Sequence, residues 1–196
     1  MICCSVFCIV LEPFVSLQSN PLTDALCREG LKRIARSLRR AFENGMDTAA
    51  REDMAIASLF GGMALANSKL GAVHGFAGTM GAMFSIPHGV ICACLLPHVM
   101  EANVKALQRK NSLEFLSRYD EVARLLTGKP DAEATDGTDW IHDLCNALDI
   151  VPLGKFGITN AHFPDLIAGA KKASSMKGNP VELTDDELTE ILKKVL

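Results

Sequence analysis

The chain has 196 residues, 48% of them hydrophobic and 22% charged, with a formal net charge of −3. That length holds one substantial core, the composition excludes a disordered chain, and the charge gives no footing for nucleic acid as a partner. One Trp and one Tyr against plentiful Ala, Leu and Met favour helices over sheets.

The opening stretch, MICCSVFCIVLEPFVSL, is apolar, but no basic run precedes it and it carries Glu12 and Pro13, which argues against a signal peptide. The seven cysteines are odd in number and irregularly spaced, so they form neither a disulfide framework nor a CxxC zinc site. Reduced thiols in a cytoplasmic protein are the expectation.

NPLTDALCREGLKRIARSLRRAFENG opens with Asn20 as an N-cap and Pro21 at the first helical position, and closes on Asn44-Gly45. Leu31, Ile34, Leu38 and Phe42 follow the 3–4 spacing of one buried face. Arg28, Lys32, Arg36, Arg39 and Arg40 lie opposite, as a solvated basic face. Asp47 caps the next helix, which loses its charges as it proceeds and is expected to pass from surface to core. Gly61-Gly62 within it, and Gly75, Gly78 and Gly81 at intervals of three in the following segment, imply close helix approach.

Ser85-Ile86-Pro87 is a break, with Pro87 opening another helix that contains Pro97 and kinks near Ala93. SLEFLSRYDEVARLLTG is amphipathic through Leu113, Leu116, Tyr119, Val122 and Leu126, and Gly128 stops it. GKPDAEATDGTD reads as a polar linker and WIHDLCNALDI as a short helix. Asn160 or Thr159 caps a helix to about Lys172, and Thr184 with Glu187 forms a capping box for the last one.

Between Met54 and Val99 the one ionised side chain other than histidine is Lys69. Seven glycines, Pro87, Asn67, His74 and His88 interrupt that run, which suits central buried helices better than a membrane span. With no repeat and no βα alternation, the expected fold class is all-α, a bundle of seven to nine helices in one domain.

The chemistry concentrates in VHGFAGTMGAMFSIPHGVICACLLPHVMEAN. His74 sits in the most apolar part of the chain, and His88 follows 14 residues later, just after Pro87. Two imidazoles converging across a helix–break–helix can share a divalent metal through neutral nitrogens, although zinc or iron wants a third N or O ligand and usually a fourth. The simpler alternative is a pair of core histidines satisfied by carbonyls. His98 is ten residues beyond His88, about 15 Å at helical rise, too far to join it on one metal. His98 suits a cap or the surface, and His142 and His162 suit structural or exposed roles.

This stretch resembles the signature of the iron-containing (group III) alcohol dehydrogenases and their maleylacetate reductase relatives: a histidine on a glycine-rich helix, a Pro-His-Gly turn, then Leu-Pro and Asn. LEPFVS, NPLTDALCREGL, ASLFGGMALANSKLG and KGNPVELTDDEL agree with it. The resemblance runs over residues 10–196 and covers the family's C-terminal helical domain, the dehydroquinate-synthase-like α domain; residues 1–9 diverge. It implies NAD- or NADP-linked oxidoreduction of a small alcohol or aldehyde, with iron (or zinc) polarising the substrate oxygen. His74 and His88 match two metal-binding histidines, and Phe76, Gly78 and Phe84 fall along the substrate space.

Three departures accompany the match. The family's Asp-x-x-x-His pair falls on Ser5 and Ile9, a further histidine falls on Gly78, and nothing reads as the nicotinamide-binding α/β half with its phosphate turn. The expectation is a fragment that turns over no alcohol alone, with an apolar surface near Gly78–Phe84 that favours a homo-oligomer. A non-catalytic helical packing or oligomerisation domain with vestigial histidines is the rival.

Overall fold

A computed structural model describes residues 2–196, with side chains from Ser5 onward. Its elements are α1 (Ile2–Val15), α2 (Pro21–Glu43), α3 (Thr48–Asn67), α4 (Ala72–Met83), α5 (His88–Arg109), α6 (Leu113–Thr127), α7 (Ala134–Ala147), α8 (Phe163–Lys172) and α9 (Asp185–Lys194). Short 3-10 turns lie at 153–156, 160–162 and 175–178, and there is no strand among the described residues. The fold is all-α, as composition and periodicity predict.

Helix α1 is the hub, packed on α2, α3, α5 and α6. Val6, Phe7, Val10, Leu11 and Phe14 are each at most 5% exposed, and burying each such side chain stabilises the fold by about 1.5–3 kcal/mol. From Val6 to Leu11 its apolar run is unbroken, so it leaves no 3–4 pattern for periodicity to detect. Pro13, in the last turn, removes an N–H, and there Arg118 of α6 donates to the Phe14 carbonyl while stacking 4.6 Å over the Phe14 ring.

Asn20 caps α2 by accepting from the Leu22 and Thr23 N–H groups. Leu31, Ile34 and Leu38 are fully buried, whereas Phe42 near the frayed end is 48% exposed. The basic face is largely ion-paired: Arg28 with Glu121, Arg39 with Glu43, Arg40 with Asp47. Arg33 and Arg36 converge with the Ser37 hydroxyl on Asp53, a buried carboxylate that staples α3 to α2.

Helix α3 does not pass into the core as its charge pattern suggests; its second half leaves Leu59, Met63 and Leu65 exposed. Only one stripe of the helix packs, and Gly61 in that stripe is where α1 comes closest, since a Cβ there would lie 2.6 Å from Ile9 Cγ1. Gly62, Gly78 and Gly81 meet nothing within 4 Å, so close approach explains Gly61 and Gly75 but not these three. Helix α7 begins inside the segment expected to be a linker. Glu133 and Asp136 form its capping box, and the small residues Ala134, Gly137 and Thr138 carry the buried stripe against α6, which hid it from a hydrophobicity reading.

Helix α5 is long and apolar enough to cross a membrane, but 72% of its apolar window is buried against neighbouring helices. Pro87 stands at its N-cap, one residue earlier than expected, and Pro97 lies inside it. The chain turns by 95° between α3 and α4, and across the break at 84–87 helix α5 packs back on α4.

Candidate metal centre

Gly71, the N-cap of α4, has no side chain with which to cap the helix. Two distant residues do so instead. Asn179 Oδ1 accepts from the Ala72 N–H at 3.1 Å, and Glu12 Oε1 accepts from the Val73 N–H at 2.8 Å. A carboxylate at a helix N-terminus also gains from the dipole. The other oxygen of Glu12 lies 2.5 Å from His74 Nδ1. Glu12 is only 2% exposed, so this buried carboxylate holds the imidazole with its proton on Nδ1 and turns Nε2 the other way.

His88, exposed at the first residue of α5, meets it there. The two ring centroids are 5.3 Å apart. Between them lies Cys92, one turn further along α5, with Sγ 3.4 Å from His88 Nε2 and 4.0 Å from His74 Nε2. The three ligand atoms are all within 4.8 Å of one another. Cys8 donates to the Cys92 carbonyl at 3.7 Å. A hydrogen bond from Cys8 holds the Cys92 thiol well below the ordinary thiol range against the opposing effect of burial, and His74 and His88 act in the same direction. Burial alone would lower the His74 pKa, but its hydrogen bonds to Cys92 and Glu12 outweigh that and raise it.

The remaining expected site residues separate. Phe76 is fully buried in the core and has no surface to offer a substrate. Gly78 is exposed with open space around it, and Phe84 is half-buried, its ring 5.1 Å from that of His162. The His162 ring also accepts from the Thr159 N–H at 3.1 Å. Ser5 and Ile9 are both part-exposed on α1, and Ile9 is turned towards Gly61 of α3.

His98 does not stand alone. Its ring is 5.2 Å from that of His142, with Glu101 close by. Burial, then the charges of His142 and Lys194, push His98 down to about 4, so it is neutral at pH 7. Both Glu101 oxygens already accept from ammonium groups, Lys105 at 2.5 Å and Lys194 at 2.7 Å. This second cluster, beside a cavity of about 200 Å³ bordered by Pro97, His98 and His142, is therefore an ion-pair knot. The sequence reading passed over Cys92, the second role of Glu12, and Asn179. The spacing of four between His88 and Cys92, which puts them on one helix face, was the available signal for the first.

Two imidazoles from consecutive helices, one fixed by a buried carboxylate, form an arrangement that could hold a metal ion. Residues 3–196 match the model of the Fe-containing alcohol dehydrogenase family, C-terminal. The chain belongs to the iron-containing alcohol dehydrogenase family, and the matched region is that family's C-terminal domain. It is 35% identical over 185 residues to alcohol dehydrogenase 4 of Saccharomyces cerevisiae, covering 94% of this chain and 47% of that protein. Among solved structures, a 1,3-propanediol oxidoreductase superposes with a TM-score of 0.88 at 30% identity, over 99% of this chain and 50% of that one. A sulfoacetaldehyde reductase from Bifidobacterium kashiwanohense, solved in complex with NAD+, superposes with a TM-score of 0.82 at 25% identity, over 98% and 48% of the two chains. The chain thus spans about half the length of the relatives it matches.

Proposed function

We propose that this domain is the metal-binding half of an NAD- or NADP-linked oxidoreductase acting on a small alcohol or aldehyde in the cytoplasm. The observation that carries the reading is the convergence of His74 and His88, with Glu12 on the far nitrogen of His74. Imidazoles that give up the Nε2 proton on binding fit a divalent ion, and when bound such an ion polarises an alcohol or carbonyl oxygen as a Lewis acid. Glu12 keeps the His74 ring in one tautomer and one orientation. Gly78 leaves room beside α4, and Phe84 offers an apolar wall, so these two are the substrate-facing positions in this reading.

Hydride transfer needs the nicotinamide ring held against the reacting carbon, and no strand with a phosphate-cradling loop occurs among the described residues. The chain alone is therefore expected to be inactive. The rival, a packing domain with vestigial histidines, draws support from Ser5 and Ile9 at the two donor positions. The test joins this chain to the N-terminal half of the yeast relative and follows reduced nicotinamide absorbance with short alcohols and added ferrous or zinc ion. Slow turnover that disappears with His88→Ala, and none from the unfused chain, is the expected result. A fusion whose activity ignores His74→Ala and His88→Ala removes the site. Turnover by the unfused chain at about 1 s⁻¹ or more removes the inactivity.

A further inference from the structure

Cys92 has no counterpart in the signature that His74 and His88 match, yet its sulfur is the atom towards which both rings turn. A tetrahedral zinc centre with Zn–N of ~2.0–2.1 Å and Zn–S of ~2.3 Å holds N and S about 3.6 Å apart. The two observed separations, 3.4 and 4.0 Å, bracket that value. The sulfur is fully buried while His88 is exposed, so the cluster opens to solvent on the histidine side. The positions where the resemblance puts an aspartate and a histidine carry Ser5 and Ile9, and the latter faces α3. Oxygen and nitrogen donors have gone from α1, and a sulfur donor stands on α5.

We propose that Cys92 is the third ligand of the metal held by His74 and His88, and that its thiolate makes this centre select zinc over ferrous iron. This rests on the reading that the two histidines hold a metal. The physical reason is ligand softness: thiolate favours zinc and cobalt(II), whereas ferrous sites in oxidoreductases lean on imidazole and carboxylate. Two imidazoles and one thiolate with a fourth position left for water or substrate is also the donor count of catalytic zinc. A buried cysteine that merely packs as a small hydrophobe has no reason to lie between two imidazole nitrogens.

Cobalt(II) titration of the purified chain reads this directly, without any activity assay. The expected result is one equivalent bound with an intense thiolate-to-cobalt charge-transfer band in the near ultraviolet. Cys92→Ser and Cys92→Ala lose that band and weaken binding by at least the roughly 10–100-fold typical of losing even an outer-shell partner. Zinc displaces ferrous ion from the wild-type chain in anaerobic competition at a lower zinc-to-iron ratio than from Cys92→Ser; an equal ratio for both counts against selection by the thiolate. X-ray absorption on the zinc-loaded wild type, which needs no variant to fold, shows one sulfur at about 2.3 Å. Binding that depends on His74 and His88 but shows no band, or a band that survives Cys92→Ser, overturns the role of Cys92 and leaves the histidine site standing. Binding indifferent to His74→Ala and His88→Ala overturns both.

Discussion

Replacing Gly71 by alanine tests the architecture of the site without touching a ligand. The backbone there has φ −137°, which any residue adopts, so the question is one of space. An added Cβ lies 2.9 Å from both Asn179 Oδ1 and Glu12 Oε1. Ordinary carbon–oxygen contacts begin near ~3.3 Å, so each oxygen must retreat by about half an ångström. Neither moves freely. Glu12 is held by His74 at 2.5 Å, and Asn179 donates to Asn103 Oδ1 and to the Val181 carbonyl, both at 2.7 Å. The bond from Ala72 to Asn179, already 3.1 Å, passes out of hydrogen-bond range and the one to Glu12 stretches. Loss or weakening of a neutral bond (about 1 kcal/mol) and a charge-assisted one (about 1.5–3 kcal/mol) is opposed by the lower unfolded-state entropy of alanine, about 0.4–1 kcal/mol. The packing loss wins by about 2 kcal/mol, which at this chain length lowers the melting temperature by about 4–8 °C. Gly78→Ala, seven positions along and facing open space, should instead stabilise by about 0.5–1 kcal/mol. Thermal unfolding followed by far-ultraviolet circular dichroism measures both. Equal shifts of one sign, or a Gly71→Ala protein as stable as the parent, refute the reasoning.

Asp53→Asn should cost about 2 kcal/mol at pH 7, because Arg36, Arg33 and Ser37 lose the carboxylate that joins α3 to α2. The Arg36 guanidinium, above all, holds the Asp53 pKa well below the ordinary carboxylate value. Its contribution is therefore present above about pH 3.9 and is lost as pH falls through the lower folded value, so urea midpoints of the variant should decline less steeply below pH 4 than those of the parent. The exposed Leu59 and Met63, one turn apart on α3, and Met83 at the end of α4 predict self-association at high concentration. Sedimentation velocity should show it in the parent and its loss in a Leu59→Lys, Met63→Lys double variant; a parent monomeric throughout the concentration series counts against the patch.

The helices with one polar and one apolar face were legible: α2 from its cap and 3–4 spacing, α6 from Gly128 and a stripe whose first member, Leu113, is nonetheless 68% exposed at the helix start, and α9 from Thr184 and Glu187. Legibility failed where burial is uniform or the buried residues are small. Helix α1 is apolar on nearly every side, Glu12 apart, and α7 hides the first half of its packing stripe in Ala134, Gly137 and Thr138. The site divides in the same manner. His74 and His88 were visible because histidine is conspicuous in an apolar run, and their meeting in space follows from the break at Pro87. Cys92 looked like one more apolar residue in ICACLL, since only the packing of α5 on α4 brings His74 across to it. His98 and His142 are far apart in sequence, and only the packing of α5 on α7 joins them.

Burying a carboxylate as deeply as Glu12 is costly unless its charge is answered, and here it is answered twice, by the free N–H groups at the start of α4 and by the imidazole of His74. The same side chain thus caps the start of a helix and aims His74. Its own position is fixed from outside the site: Arg118 of α6 grips the Phe14 carbonyl and Asp24, so the end of α1 cannot drift. Asn179, Asn103 and the Tyr119 hydroxyl continue the buried hydrogen-bonded chain on the other flank. None of these supports passes through Ser5 or Ile9. A sequence could therefore lose the aspartate and histidine donors of α1 while His74 stayed aimed at the position it shares with His88, because what orients His74 is Glu12 and what orients Glu12 is the fold. With the geometry preserved and those two donors absent, the proposed sulfur ligand, one turn beyond His88, would supply the third.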